Sequence, residues 1–152
     1  DDDGPPCPGN CPNHGCLEAF VSGPALAREG RRAADTAPES GLGRALAGGR
    51  EITGPLVTEL AHDGDAAARA VIAGLGRWLG IGIASFVNVF NPEVVVVGGG
   101  LVAAGDLLLA PARAVVAERA LVPARDQVRI VPARFGDESG MLGAAALAFD
   151  VV

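Results

Sequence analysis

The sequence predicts an α/β layer fold with at least one right-handed parallel crossover. Three observations predict it. The segment 66–90 is apolar over helix length and shows no strand-type alternation. Val94-Val95-Val96-Val97 follows it, a β-branched run of the kind found in strands buried on both faces. A helical segment from Asp106 to about Ala120 then leads to a second run, Val128-Arg129-Ile130-Val131. Two strands joined by a helix form a parallel crossover, which is right-handed. At 152 residues, 49% hydrophobic and 20% charged, the chain has the length and composition of one globular domain with its own core.

The elements follow in chain order. Leu17, Phe20, Val21, Ala25 and Leu26 recur at helical spacing, interrupted by Ser22-Gly23-Pro24. They predict a short helix from Leu17 and a second from Pro24 to about Ala34, because proline fits a first turn. Residues 35–49, rich in Gly, Pro and Ser, read as a mobile connection. Thr53-Gly54-Pro55 opens a short helix through Leu60. Asp65 is the predicted N-cap of the long helix, whose stripe reads Val71, Leu75, Trp78/Leu79, Gly82, Phe86, Val89. Gly74, Gly76, Gly80 and Gly82 each cost about 1 kcal/mol there against Ala, which calls for a closely packed neighbour. Asn91-Pro92 ends this helix. Pro111 either kinks the next helix or marks its first turn. Asp137 caps a last helix, 138–149, with Met141, Leu142, Ala145 and Ala148 facing inward.

Composition removes several functions. All twelve basic residues are Arg, so a Lys nucleophile, a Schiff base and a Walker-type phosphate loop are excluded within the chain. Net charge is −6 and the arginines are scattered, with Arg28, Arg31 and Arg32 reading as a solvated helix face; no nucleic-acid surface is expected. Three cysteines cannot form a closed set of disulfides, which favours a reducing compartment. Asp1, Asp2 and Asp3 begin no signal peptide, and the charge-free segment between Arg77 and Glu93 is too short and too polar at its end to span a membrane. The only Met is Met141, so the chain is expected to be a piece of a longer protein.

Chemistry concentrates in Cys7-Pro-Gly-Asn-Cys11-Pro-Asn-His14-Gly-Cys16-Leu-Glu18. Three thiols within ten residues can wrap a metal, and zinc suits thiolates and imidazole. The fourth ligand is His14 or a residue preceding Asp1, or His14 faces solvent. Glu18, two residues beyond a ligand at a helix start, could accept hydrogen bonds from sugar hydroxyls; spacing alone favours a surface Glu stabilised by the helix dipole. Val94–Val97 runs into Gly98-Gly99-Gly100-Leu101. A strand ending in glycines lets a nucleotide approach backbone amides, or simply makes a tight turn. As a Rossmann fingerprint it fails: Ala103 replaces the last Gly.

The order of these pieces resembles the C-terminal half of the ROK family of bacterial sugar kinases, glucokinase above all, and sugar-responsive repressors. The Cys-rich loop, Gly-Cys-Leu-Glu, Ser-Gly, the long helix, Asn-Pro-Glu-Val-Val-Val-Val-Gly-Gly-Gly and Gly-Met-Leu-Gly-Ala-Ala carry it from about Gly4 to Phe149. The resemblance implies an actin-like ATPase (ribonuclease H-like) lobe, with residues 1–16 a zinc-binding loop and 17–152 an incomplete C-terminal lobe. It implies that Cys7, Cys11 and Cys16 bind structural Zn²⁺, that Glu18 binds the sugar and that Gly98, Gly99 and Gly100 border ATP. The family's common spacing is C-x-C-x4-C where this chain has C-x3-C, and the family's usual fourth ligand, a His before the cysteines, does not match His14.

The implied function is phosphoryl transfer from ATP, with Mg²⁺, to a hexose hydroxyl, glucose first, in a cytoplasmic protein that is a homo-oligomer when complete. The family's phosphate loop, its Asn-Asp pair with the catalytic base and its Glu-x-x-His segment would precede Asp1; Asp63 and Asp65 do not match that motif. The fragment alone is therefore expected to be inactive. A sugar-sensing repressor domain and a zinc-stapled assembly domain are the alternatives.

Overall fold

The computed structural model describes residues 3–9 and 11–150. It is mostly helical, with a small parallel sheet. In order come α1 (Leu17–Phe20), α2 (Gly23–Thr36), α3 (Gly41–Ala47), α4 (Gly54–His62), α5 (Ala66–Phe90), β1 (Val94–Val97), α6 (Asp106–Arg119), α7 (Ala124–Gln127), β2 (Arg129–Pro132) and α8 (Ser139–Asp150), with 3-10 turns at Gly100–Ala104 and Gly136–Glu138.

Side-chain oxygens start four of the helices, Asp65 in the capping role the sequence indicates. Ser22, Ser40, Thr53 and Asp65 accept from the amides of Ala25, Gly43, Leu56 and Ala68. Asp65 also accepts from the Gly41 amide at 2.6 Å, tying α3 to the start of α5. Asn91 closes α5 in the left-handed conformation (φ 47°) before Pro92.

Helix α5 is the spine. Its first half shares a core with α2, α3, α4 and the start of α6, built on Leu42, Val57, Ile72 and Leu108. Its second half packs with α6, α7 and β2 through Ile83, Val87, Leu109, Val116 and Ile130. By length and mean hydropathy (1.7 over its most apolar window) α5 could cross a bilayer, which the charge-free segment alone had not suggested; its packing makes it a core helix. Three of its glycines meet the expected close neighbours. A Cβ at Gly76 would strike the Leu108 carbonyl, one at Gly80 the Ala112 carbonyl, and one at Gly82 Leu17 of α1. Gly74 has no such contact.

Strands β1 and β2 pair in parallel with Val95 opposite Ile130, α6 forming the crossover. Arg113 fastens that crossover: its Nε and Nη2 donate to the Ile130 carbonyl at 3.2 and 3.0 Å.

Several expectations are corrected. Residues 41–47 form a helix, because Gly43 admits the backbone of Ala37 and Pro38, Gly41 admits the Asp65 and Leu60 side chains, and Leu42 is fully buried. The buried stripe of α5 is Ala68, Ile72, Leu75, Gly76, Gly80, Ile83, Ala84 and Val87; Phe86 and Val89 are exposed and Trp78 is half-exposed. Strand β1 is covered on one face only, with Val96 62% exposed. Pro111 sits inside α6, against the gap left by Gly76. Met141, Leu142, Ala145 and Ala148 face outward, because α8 touches little beyond the turn before it. The capping role expected of Asp137 concerns a side chain outside those described.

Candidate functional site

The cysteine loop is shaped by backbone bonds before any metal is considered. The Cys7 amide donates to Asn13 O and the Gly15 amide to Pro5 O, both at 2.9 Å, and Pro6 and His14 form an isolated antiparallel bridge. The result brings Cys7, Cys11 and Cys16 together, their sulfurs all within 4.8 Å of one another. A tetrahedral zinc with Zn–S bonds of about 2.3 Å needs sulfurs about 3.8 Å apart, so slight contraction completes three corners. The donor set fits zinc. His14 does not join it; its Nδ1 lies 3.1 Å from the Gly4 carbonyl and its ring is exposed.

The thiols polarise one another. The Gly9 amide favours the Cys7 thiolate, but hydrogen bonding with the Cys11 and Cys16 thiols, together with burial, outweighs it and pushes Cys7 up to about 11. The Asn13 amide, and then the Cys7 thiol, pull Cys11 below its ordinary value. A metal-free loop therefore shares thiolate character towards Cys11 while Cys7 holds a proton.

Helix α1 carries Glu18, and three contacts hold that short helix against the core. Leu17 fills the space left by Gly82. Arg28 Nη2 donates to Ala19 O at 2.8 Å. Phe20 stacks on Trp78 with ring centroids 4.3 Å apart. Glu18 also adjoins the thiol loop: a Cβ on Gly9 would lie 3.6 Å from both Cys7 Sγ and Glu18 Oε2.

Glu18 and the glycine turn border one cavity of about 700 Å³. Val97, Gly98, Gly99, Gly100 and Leu101, at the carboxyl end of β1, line the same cavity. Gly99 has φ +86°, which side-chain-bearing residues rarely adopt, and nothing lies within 4 Å of a Cβ built on Gly99 or Gly100. Two helix starts, Ser22-Gly23 of α2 and Gly54-Pro55 of α4, also face this space and present partial positive charge to it. His62 Nε2 lies 3.1 Å from Ala103 O and ties the segment after the glycines to the end of α4. Glu18 is the one carboxylate among the described residues lining the cavity.

Sequence reasoning brought forward the cysteines, Glu18 and the glycines but missed their supports. Trp78 and Gly82 were read as parts of an inward stripe, and Arg28 as solvated. Ser22 and Gly54 were read as helix punctuation rather than cavity wall. The recurrence of Ser/Thr-Gly-Pro before both α2 and α4 was the available signal.

The architecture is that of an actin-like fold fragment, as its likeness to solved structures shows. It superposes on a glucokinase from Streptomyces griseus, crystallised with glucose and AMPPNP, with a TM-score of 0.81 and 32% identity over 90% of this chain and 45% of that one. It superposes equally closely in sequence on a transcriptional regulator homologous to the E. coli MLC protein, with a TM-score of 0.79 and 32% identity over 95% of this chain and 35% of that one. The chain belongs to the ROK family, whose model matches residues 1–151. A glucokinase from Streptomyces coelicolor is 35% identical over 145 residues, 91% of this chain and 45% of that protein. The chain thus spans less than half the length of the curated relative it matches.

Proposed function

We propose that this chain is the C-terminal part of an ATP-dependent hexose kinase, a cytoplasmic homo-oligomeric glucokinase. The observation that supports it best is the shared cavity, lined by both Glu18 and the Gly98–Gly100 turn. Glu18, as a carboxylate, accepts hydrogen bonds from two sugar hydroxyls and fixes which face of the ring meets the nucleotide. The glycines leave room for the adenosine and phosphates of MgATP to lie against backbone, and the starts of α2 and α4 favour phosphate charge. Cys7, Cys11 and Cys16 hold structural zinc, which supplies rigidity rather than reaction chemistry. With the loop fixed, Glu18 cannot swing away from the sugar. No second carboxylate lines the cavity among the described residues, so the base that takes the hydroxyl proton lies elsewhere in the complete protein.

Two assays test this reading. The isolated chain should show no glucose-dependent ATP turnover. In the complete protein, Glu18→Gln should raise the glucose KM by about tenfold or more, as loss of a charged hydrogen bond does. An unchanged KM removes Glu18 from the sugar site. The similarity to a transcriptional regulator supports a second reading, a sugar sensor. Saturable glucose binding without ATP turnover, together with operator binding by the complete protein, would favour it over the kinase.

A further inference from the structure

The chain carries a net charge of −6, yet one groove gathers arginines from three elements. Arg113 of α6, Arg125 of α7 and Arg129 of β2 line a hollow of about 410 Å³ floored by Val116, Val128 and Ile130. No carboxylate lines it among the described residues. The acidic groups on the same elements are Asp106 and Glu118 on α6 and Asp126 on α7. Asp106 is bound by Arg113 Nη1 at 2.8 Å and Asp126 by Arg125 Nε at 3.1 Å, and both are largely exposed. The guanidinium groups are far from saturated. Arg129 makes none of the described side-chain hydrogen bonds, and Arg125 spends only its Nε–H. Arg113 is held rigid by the Ile130 carbonyl and still has N–H groups to offer.

We infer that this groove is a binding site for a small phosphate-bearing organic anion, separate from the Glu18 cavity. Guanidinium forks match phosphate oxygens in pairs, and an Arg113 already fixed by its bonds to Ile130 O and Asp106 lowers the total ordering cost. The apolar lining explains why the ligand carries an organic body: bare phosphate leaves the partly exposed Val128 and Val131 uncovered, whereas a ring or chain covers them. Three arginines from three elements share this hollow, and no acidic residue is among its described lining. The groove uses a different stretch of α6 from Leu108, which lines the Glu18 cavity.

Isothermal titration calorimetry with phenyl phosphate and with inorganic phosphate tests the site on this chain. Phenyl phosphate should bind saturably and more tightly than inorganic phosphate, and more weakly as salt rises. Arg125→Gln/Arg129→Gln should weaken its binding by about tenfold or more, while Arg50→Gln, which removes an exposed charge elsewhere, leaves it unchanged. Circular dichroism establishes that the double variant is folded; Arg113 is left intact because it fastens β2 to α6. The proposal is overturned if phenyl phosphate shows no saturable binding, or if the double variant binds it as the original chain does.

Discussion

The junction of α5 and α6 gives the sharpest prediction, because two glycines of one helix should respond to the same substitution with opposite signs. Gly→Ala in a helix interior gains about 1 kcal/mol of propensity wherever the methyl has room. At Gly74 the nearest atom to a new Cβ is the mobile end of Arg77, 3.8 Å away. At Gly80 it is the Ala112 carbonyl at 2.6 Å, with Val115 Cβ at 2.7 Å and Ala112 Cα at 3.0 Å. Ordinary contact begins near 3.4 Å, so α6 would have to withdraw by about 0.8 Å. A backbone carbonyl cannot rotate aside, which places the cost near the top of the overpacking range, about 3 kcal/mol. Net of propensity, Gly80→Ala should destabilise by about 2 kcal/mol and lower Tm by about 4–8 °C, whereas Gly74→Ala should raise Tm by about 2–4 °C. Thermal unfolding of both variants with a urea titration as the second probe reads this directly. Equal stabilisation by the two substitutions would refute the close packing of α5 on α6.

Other perturbations probe the site and its frame. Asp65→Ala removes both the cap on α5 and the acceptor for Gly41, so chemical denaturation should show a loss of about 2–3 kcal/mol, more than a single cap gives. Gly100→Val projects a side chain into open cavity at a position without left-handed strain; the melting temperature should hold while ATP affinity in the complete protein falls by about tenfold or more. Cys16→Ser should lower bound zinc, read by metal analysis of the complete protein, and weaken sugar binding through Glu18. Protons compete with zinc for the thiolates, and Cys7 keeps its proton up to about pH 11 without metal. Apparent zinc affinity should therefore rise with pH across the neutral range, and acidification should release the metal.

Local chemistry was the legible part of this fold. Helix starts are written in single residues whose side chains bond their own neighbours, so Ser22, Thr53 and Asp65 were readable without knowledge of the rest. The cysteine loop is equally local, and its three sulfurs converge as their spacing indicated. The segment 35–49 misled because its glycines suit two purposes. Gly43 looks like a loop residue, but its missing Cβ admits the carbonyls of Ala37 and Pro38, and that approach becomes visible only once α3 is seated on α2. Trp78 misled for a related reason. Its apolarity placed it on the inward stripe, whereas its partner is Phe20, distant in sequence and presented from outside the main core.

The largest departures share one physical origin. Val94 and Val96 on β1, Phe86, Val89 and Phe90 at the end of α5, and Met141, Leu147 and Phe149 on α8 are apolar residues left in solvent. Periodicity and β-branching record that a face is suited to a dry environment; they do not record what supplies it. A two-stranded sheet has too few neighbours to cover both faces of β1, and α8 packs on little besides the turn that precedes it. The Glu18 cavity escapes this difficulty because its walls are internal to the described residues. The thiol loop, α1, the starts of α2 and α4 and the glycine turn reach one another through contacts made within this chain. The cavity is therefore ordered while other faces stay uncovered, and on the kinase reading proposed above, substitutions at Gly82 and Trp78 that loosen α1 should weaken glucose binding in the complete protein without touching the sugar.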